Sequence, residues 1–239
     1  MYYRFGGRVR YSETDNTGKL SLEGILNYFQ DCSIFQSEDL GRGIRYLKEK
    51  ELVWVLTYWQ IDVKRYPNVC EEIEIGTIPY DIKGFLGYRN FMLKTGAGEE
   101  LACANTMWTL LDTAKGMPKR VPEEIINSYP MEERYPMDYM PRKIELPADV
   151  KACEPVEVKL HHLDTNMHVN NGQYVRIAKD TLSTERPVAR LRAEYKKSAV
   201  LGNVIYPYAA WDGADRYVVS LCDENKAPYA IVELTYATE

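Results

Sequence analysis

The sequence predicts an α+β chain built as two tandem modules, each a long helix wrapped by an antiparallel β-sheet. Three observations predict it. A helical stretch with one apolar face is followed by four strand-like runs, and the same order recurs at smaller scale after residue 155. A proline-dense stretch separates the two series. Short segments of one series can be laid over segments of the other.

Residues 20–40 place Leu22, Ile25, Leu26, Phe29 and Cys32 at three- and four-residue steps, with Phe35 as the next step. That spacing gives a helix one apolar face. Ser21 is the expected N-cap and Gly41 the expected stop. Residues 43–51 add a short helix. Runs 52–66, 72–80, 84–95 and 100–111 are rich in Val, Ile, Tyr, Trp and Thr, and Pro67-Asn68, Gly84 and Gly96-Ala97-Gly98 punctuate them. They read as antiparallel strands.

Seven of the twelve prolines fall between 118 and 155. Proline fixes φ and lacks an N–H, so regular elements are hard to build there. Residues 113–154 are therefore expected to connect the modules, and Tyr129, Tyr135, Met137, Tyr139 and Met140 suit an ordered path over a surface. Beyond it, 156–163 reads as a strand. Residues 171–182 read as a helix with Tyr174, Val175, Ala178 and Leu182 on one face. Runs 188–197, 203–211, 216–222 and 228–236 read as strands, with turns at Gly213 and Asp223-Glu224-Asn225-Lys226. The expected domains are 1–112, a linker 113–154, and 155–239.

The overlay supports a repeat. Asp15-Asn16-Thr17-Gly18-Lys19-Leu20-Ser21 matches Asp164-Thr165-Asn166-Met167-His168-Val169-Asn170 at an offset of 149, and Asp31 then falls on Asp180. Ile61-Asp62-Val63-Lys64-Arg65 matches Ala193-Glu194-Tyr195-Lys196-Lys197 at an offset of 132. The difference between the offsets is the 43–51 region, present in the first copy alone.

Composition excludes several function classes. Lys+Arg 30 against Asp+Glu 35 gives a net charge of −5, without the basic stripe of a nucleic-acid binder. The longest uncharged run, 198–211, is broken by Asn203 and Pro207 and falls short of the roughly 20 apolar residues of a membrane span. The N-terminal charges are followed by no apolar stretch, so no signal peptide is expected. Five scattered cysteines, Cys32, Cys70, Cys103, Cys153 and Cys222, form no Cys-x-x-Cys pair. Neither a zinc site nor a disulfide framework is expected, no cofactor is implied, and a reducing cytoplasm is the expected location.

The candidate chemistry lies in the second copy. The three histidines are His161, His162 and His168. Asp164-x-Asn166-x-His168 sets a carboxylate, an amide and an imidazole at steps of two, and an extended segment would point all three to one face. A helix begins just beyond, with Asn170 or Asn171 as its cap, so its free N–H groups face the same place. That set suits attack on a carbonyl: His168 as base, Asn166 and backbone N–H holding the oxyanion, Asp164 orienting the imidazole or acting on the carbonyl. Asx-rich turns before helices also arise purely as caps, and that reading stands beside the catalytic one. His161 and His162 would alternate faces on a strand, with a structural or exposed role. Lys64-Arg65 and Lys196-Lys197 read as solvated strand ends.

Asp164-Thr165-Asn166-Met167-His168-Val169-Asn170-Asn171-Gly172-Gln173-Tyr174-Val175 resembles the active-site segment of the acyl-acyl-carrier-protein thioesterases, whose pattern is Asp-x-Asn-x-His-Val-Asn-Asn before a Tyr-containing helix. Tyr11-Ser12-Glu13-Thr14-Asp15 with Gly18, Val53-Trp54-Val55-Leu56 and Glu194-Tyr195-Lys196-Lys197 also resemble that family. The resemblance covers nearly the whole chain. It implies tandem hotdog domains, hydrolysis of an acyl thioester, an acyl chain buried in the N-terminal module, and Asp164, Asn166 and His168 as catalytic residues. Lys19 stands where the second copy has His168, so the first copy is expected to be catalytically silent. The implied partner is an acyl carrier protein bearing a fatty acyl chain. Neither nucleic acid nor membrane is implied, and the family can form homodimers.

One departure stands out. After the Glu-Tyr-basic-basic stretch the family usually carries a Glu, sometimes followed by Cys; here these positions are Ser198 and Ala199. Ser198 is no base at neutral pH. Glu194 lies four residues back, about 13 Å at ~3.3 Å per residue, and cannot simply replace it. An acyl-coenzyme A thioesterase and a non-catalytic acyl-thioester-binding protein are the alternatives. Trp54, Trp59, Met107 and Trp108 are candidates for closing an acyl pocket.

Overall fold

The structure is a computed structural model that describes residues 2–184 and 186–237. The outer limits of the expected domains, at 1 and 239, lie outside the described residues. The chain divides into two compact units, one formed by residues 1–57 and 61–139, the other by residues 58–60 and 140–239.

The first unit opens on β1 (Tyr3–Arg8) and a 3-10 turn (Tyr11–Glu13), followed by α1 (Leu22–Asp39) and α2 (Ile44–Glu49). Four long strands follow: β2 (Leu52–Val63), β3 (Glu72–Lys83), β4 (Leu86–Thr95) and β5 (Glu100–Asp112). The short β6 (Met117–Pro118) and α3 (Glu123–Ile126) complete it. The strands run in the order β1-β3-β4-β5-β2, with β6 added to β5. Ser21 caps α1 by accepting the Gly24 N–H at 3.0 Å, and the chain leaves the helix through Gly41 at φ +67. The buried stripe of α1 includes Leu22, Ile25, Leu26, Phe29 and Cys32. Phe35 departs from the expected stripe: it is 44% exposed and meets Phe5 edge-on, and Gln36 is buried instead. An eighteen-residue helix outruns its own apolar period, so the stripe rotates away from Phe35. Tyr46 and Leu47 of α2 pack on the cluster Leu52, Leu110, Val121, Ile125 and Tyr129.

The second unit contains β7 (Lys151–Ala152), β8 (Val156–Glu157), a 3-10 turn (Leu160–His162), α4 (Asn171–Asp180) and the strands β9 (Val188–Tyr195), β10 (Val204–Asp212), β11 (Arg216–Cys222) and β12 (Pro228–Tyr236). Its strand order is β9-β12-β11-β10-β7, with β8 also on β10. The strand expected over 156–163 is corrected. Pairing ends at Glu157, and the chain coils into the 3-10 turn, where Lys159 N–H donates to His162 Nδ1 at 3.1 Å. β1 and β7 carry no sequence pattern that singled them out. Each unit is a helix on an antiparallel sheet, the hotdog arrangement.

The proline-dense stretch is ordered. In the first unit, buried Asn90 receives Tyr135 N–H and Tyr139 O–H at 3.0 Å each, while its own amide donates to Ala104 C=O at 3.0 Å. In the second unit, Ile144 packs on Val218 and Ile231. Arg192 there donates to the Lys143 carbonyl at 3.0 Å and pairs with buried Glu233 at 2.9 Å.

Candidate functional site

The site is built on the loop that leads into α4. Asn170 caps the helix, its side chain accepting the Gly172 N–H at 2.9 Å. Tyr195 O–H donates to the Asn171 carbonyl at 3.0 Å, and Tyr174 OH accepts the Ala199 N–H at 2.8 Å. Burial pushes the Tyr174 phenol up to about 12, so it stays neutral there. These bonds fasten the first turn of α4 to the segment after β9.

The loop itself is a closed turn, which corrects the extended segment expected from the alternating motif. Asp164 N–H donates to His168 C=O at 2.7 Å, and Met167 N–H donates back to Asp164 C=O at 3.0 Å. Asp164 Oδ1 accepts the N–H groups of Asn166 at 2.8 Å and His168 at 3.2 Å. Met167 closes the turn at φ +61. An Asp side chain that bonds backbone two residues on is a standard turn former, and that local bond outcompetes an extended path. Asp164 is half-buried, while the side chains of Asn166 and His168 are exposed. Among the described residues no side-chain hydrogen bond joins the three to one another.

The His168 strand edge is fixed from the other side. His168 pairs antiparallel with Val200, and Val169 N–H donates to Ala199 C=O at 2.9 Å. Ser198 is exposed, next to this pairing. Glu194 is buried, held by Lys196 at 2.5 Å. His161 and His162 sit in the 3-10 turn rather than on a strand, their rings 4.2 Å apart and edge-on. Burial holds the His162 imidazole below its ordinary pKa, with His161, Lys159 and Arg176 adding to the effect.

The first unit contains the same loop. Asp15 N–H donates to Lys19 C=O at 2.8 Å, Gly18 N–H to Asp15 C=O at 3.1 Å, and Asp15 Oδ1 accepts the N–H of Thr17 at 2.9 Å and Lys19 at 3.2 Å. Ser21 N–H donates to Glu13 C=O and Asn170 N–H to His162 C=O, each at 2.9 Å. Lys19 pairs with Asn68 as His168 pairs with Val200. The two offsets seen in the sequence reproduce every one of these matches. The left-handed residue at 167 has one signal in the sequence, the overlay of Met167 on Gly18. The Tyr174–Ala199 bond had no such signal, because it depends on where the sheet returns.

Among the described residues no cluster of His, Cys, Asp and Glu is placed to hold a metal ion. Among them too, no helix is long and apolar enough to cross a membrane.

Two family models match the chain: the acyl-ACP thioesterase N-terminal domain over residues 3–129 and the acyl-ACP thioesterase C-terminal domain over residues 146–226. A chloroplastic acyl-[acyl-carrier-protein] hydrolase of Cuphea viscosissima is 24% identical over 229 residues, 88% of this chain and 55% of that protein. The chain thus spans about half the length of the curated relatives it matches. An acyl-ACP thioesterase structure from Bacteroides thetaiotaomicron superposes with a TM-score of 0.90 at 18% identity, covering 98% of this chain and 97% of the other. A putative oleoyl thioesterase from Lactobacillus plantarum gives a TM-score of 0.86 at 22% identity, covering 100% and 96%. These structures share the fold described above.

Proposed function

The chain belongs to the acyl-acyl-carrier-protein thioesterase family, and from that premise we propose that it hydrolyses the thioester of a fatty acyl-[acyl-carrier-protein] to a free fatty acid and the carrier thiol. One observation carries the assignment of the site. The two units hold the same turn, with the same backbone N–H groups bonded to Asp15 and Asp164, and the second presents the His168 imidazole where the first presents Lys19.

In this reading water attacks the thioester carbon as His168 takes its proton. Asn166 and the positive end of the α4 dipole stabilise the oxygen that becomes negative. The C–S bond then breaks, and the imidazolium returns the proton to the leaving thiolate. Asp164 acts as a positioning residue, because its Oδ1 is bonded to the backbone of Asn166 and His168. The acyl chain is proposed to lie in the N-terminal module, 1–112, with 155–239 as the catalytic domain and 113–154 as the linker. Met107 is buried and Trp54 and Trp108 half-buried in the first unit, and they remain the candidates for closing an acyl pocket; Trp59, also a candidate, is buried and belongs to the second unit. A reducing, cytoplasm-like compartment suits five cysteines that are all free. A homodimer is a further proposal, tested by sedimentation.

His168→Ala is expected to lower release of free thiol from acyl carrier protein at least about a hundredfold; unchanged turnover removes the proposal. Carrier and coenzyme A thioesters are distinguished by salt. Exposed Lys159 and Arg176 lie on the elements before and after the loop, so turnover of an acidic carrier is expected to fall with ionic strength far more than turnover of the coenzyme A ester. Ser198 favours a second reading, a non-catalytic acyl-thioester-binding protein. Tight binding without thiol release would support it. Ser198→Glu is expected to raise kcat by supplying a carboxylate beside the His168 pairing; a flat response means that other groups already activate water.

A further inference from the structure

In the first unit Phe91 of β4 stacks on Phe29 of α1, with ring centroids 5.3 Å apart. Side chains alternate along a strand, so Arg89 and Leu93 share the helix-facing side with Phe91. Near Phe29 this interior is apolar, with Ile25, Ile75, Phe91 and Leu93 fully buried. Two turns further along α1 it becomes polar. Arg89 is only 9% exposed there. Its Nη1 donates to Gln36 Oε1 at 2.5 Å and to Thr77 Oγ1 at 3.1 Å, and its guanidinium carbon stands 5.4 Å from the centre of the Tyr129 ring.

No carboxylate pairs with Arg89 among the described residues, and its Nε and Nη2 donate to no protein acceptor there. The residue as a whole keeps 9% of its surface. A cation taken out of water is costly unless its donors are met, and two neutral oxygens use only part of this fork. Burial accordingly pulls the guanidinium pKa down. Packing alone would favour an apolar side chain at this position.

We propose that Arg89 is a specificity residue of the acyl site: its Nε and Nη2 donors recognise an oxygen at or near the far end of the acyl chain. The inference rests on the reading of the first unit as the acyl-binding unit. A plain chain would set methylenes against the guanidinium and offer no acceptor. A chain ending in a hydroxyl or carboxylate oxygen would complete the fork with charge-assisted hydrogen bonds. Sites built to bond a polar group reject the analogue that lacks it.

The test compares plain and terminal-hydroxy acyl carrier thioesters, from octanoyl to hexadecanoyl, on the full chain. At one or more chain lengths the hydroxy form is expected to have a kcat/KM roughly ten to a hundred times that of the plain form. Arg89→Met should bring the ratio to one or below, and Arg89→Lys should leave it in between. A wild-type ratio of one or less at every length overturns the proposal, whether or not Arg89→Met folds. So does an undiminished preference in a folded Arg89→Met. Calorimetry with free terminal-hydroxy and plain fatty acids separates this inference from the activity. Selective binding that Arg89→Met abolishes supports the inference even if no thioester is hydrolysed. Equal binding of the two acids overturns it even if hydrolysis proceeds.

Discussion

Met167 and Gly18 occupy the same turn position at φ +61 and φ +76. A residue with a Cβ has about 1–2 kcal/mol against it there, and glycine does not. Met167→Gly is therefore expected to stabilise the protein by roughly 0.5–1 kcal/mol, net of glycine's greater freedom when unfolded. Gly18→Met should cost about 1 kcal/mol. Urea denaturation midpoints check both. The same comparison fixes what Asp164 does. Asp15 makes equivalent backbone bonds beside a lysine, so the carboxylate's contacts follow from the turn and require no imidazole. The sequence placed these residues together; it did not reveal that Asp164 would be spent on backbone N–H groups, because an Asx turn and an alternating strand share the same spacing.

Helix limits were legible to within two residues, since Ser21, Gly41 and Asn170 are local signals that act within one turn. The segment 156–163 misled because Val156, Val158 and Leu160 alternate like a strand, while the bend at Lys159 depends on His162. Tyr174→Phe leaves the Ala199 N–H without its acceptor and is expected to cost about 1–3 kcal/mol. It should lower kcat more than it raises KM, because it loosens the segment paired with His168. Steady-state kinetics beside a denaturation curve reads both. Asn90→Ala removes the anchor of Tyr135 and Tyr139, and faster hydrogen exchange over 133–140 is the expected outcome.

Across the molecule acids outnumber bases, 35 to 30, and many of the bases at strand ends are paired. Arg65 grips Glu71 at 2.7 Å and Glu99 at 2.8 Å, and Lys64 pairs with Glu100 at 2.8 Å. The Arg65 guanidinium holds the Glu71 carboxyl below the usual carboxylate range. A depressed carboxyl contributes stability that is present above its unfolded pKa and lost as pH falls through its folded one. Arg65→Met is thus expected to cost about 0.5–1 kcal/mol at neutral pH, and the gap from wild type should close as the medium is acidified below the ordinary glutamate range. Thermal unfolding along a pH series measures it.

Local pattern suffices for the α+β layout, the repeat with its two offsets, the caps and the place of His168, because each is written in spacing or in chemistry confined to a few neighbours. Long-range packing sets the rest: the 164–168 motif is a closed turn, Tyr174 reaches Ala199, and Arg89 is enclosed with no carboxylate partner among the described residues. Those outcomes depend on which distant backbone arrives beside a residue, and no local pattern encodes that.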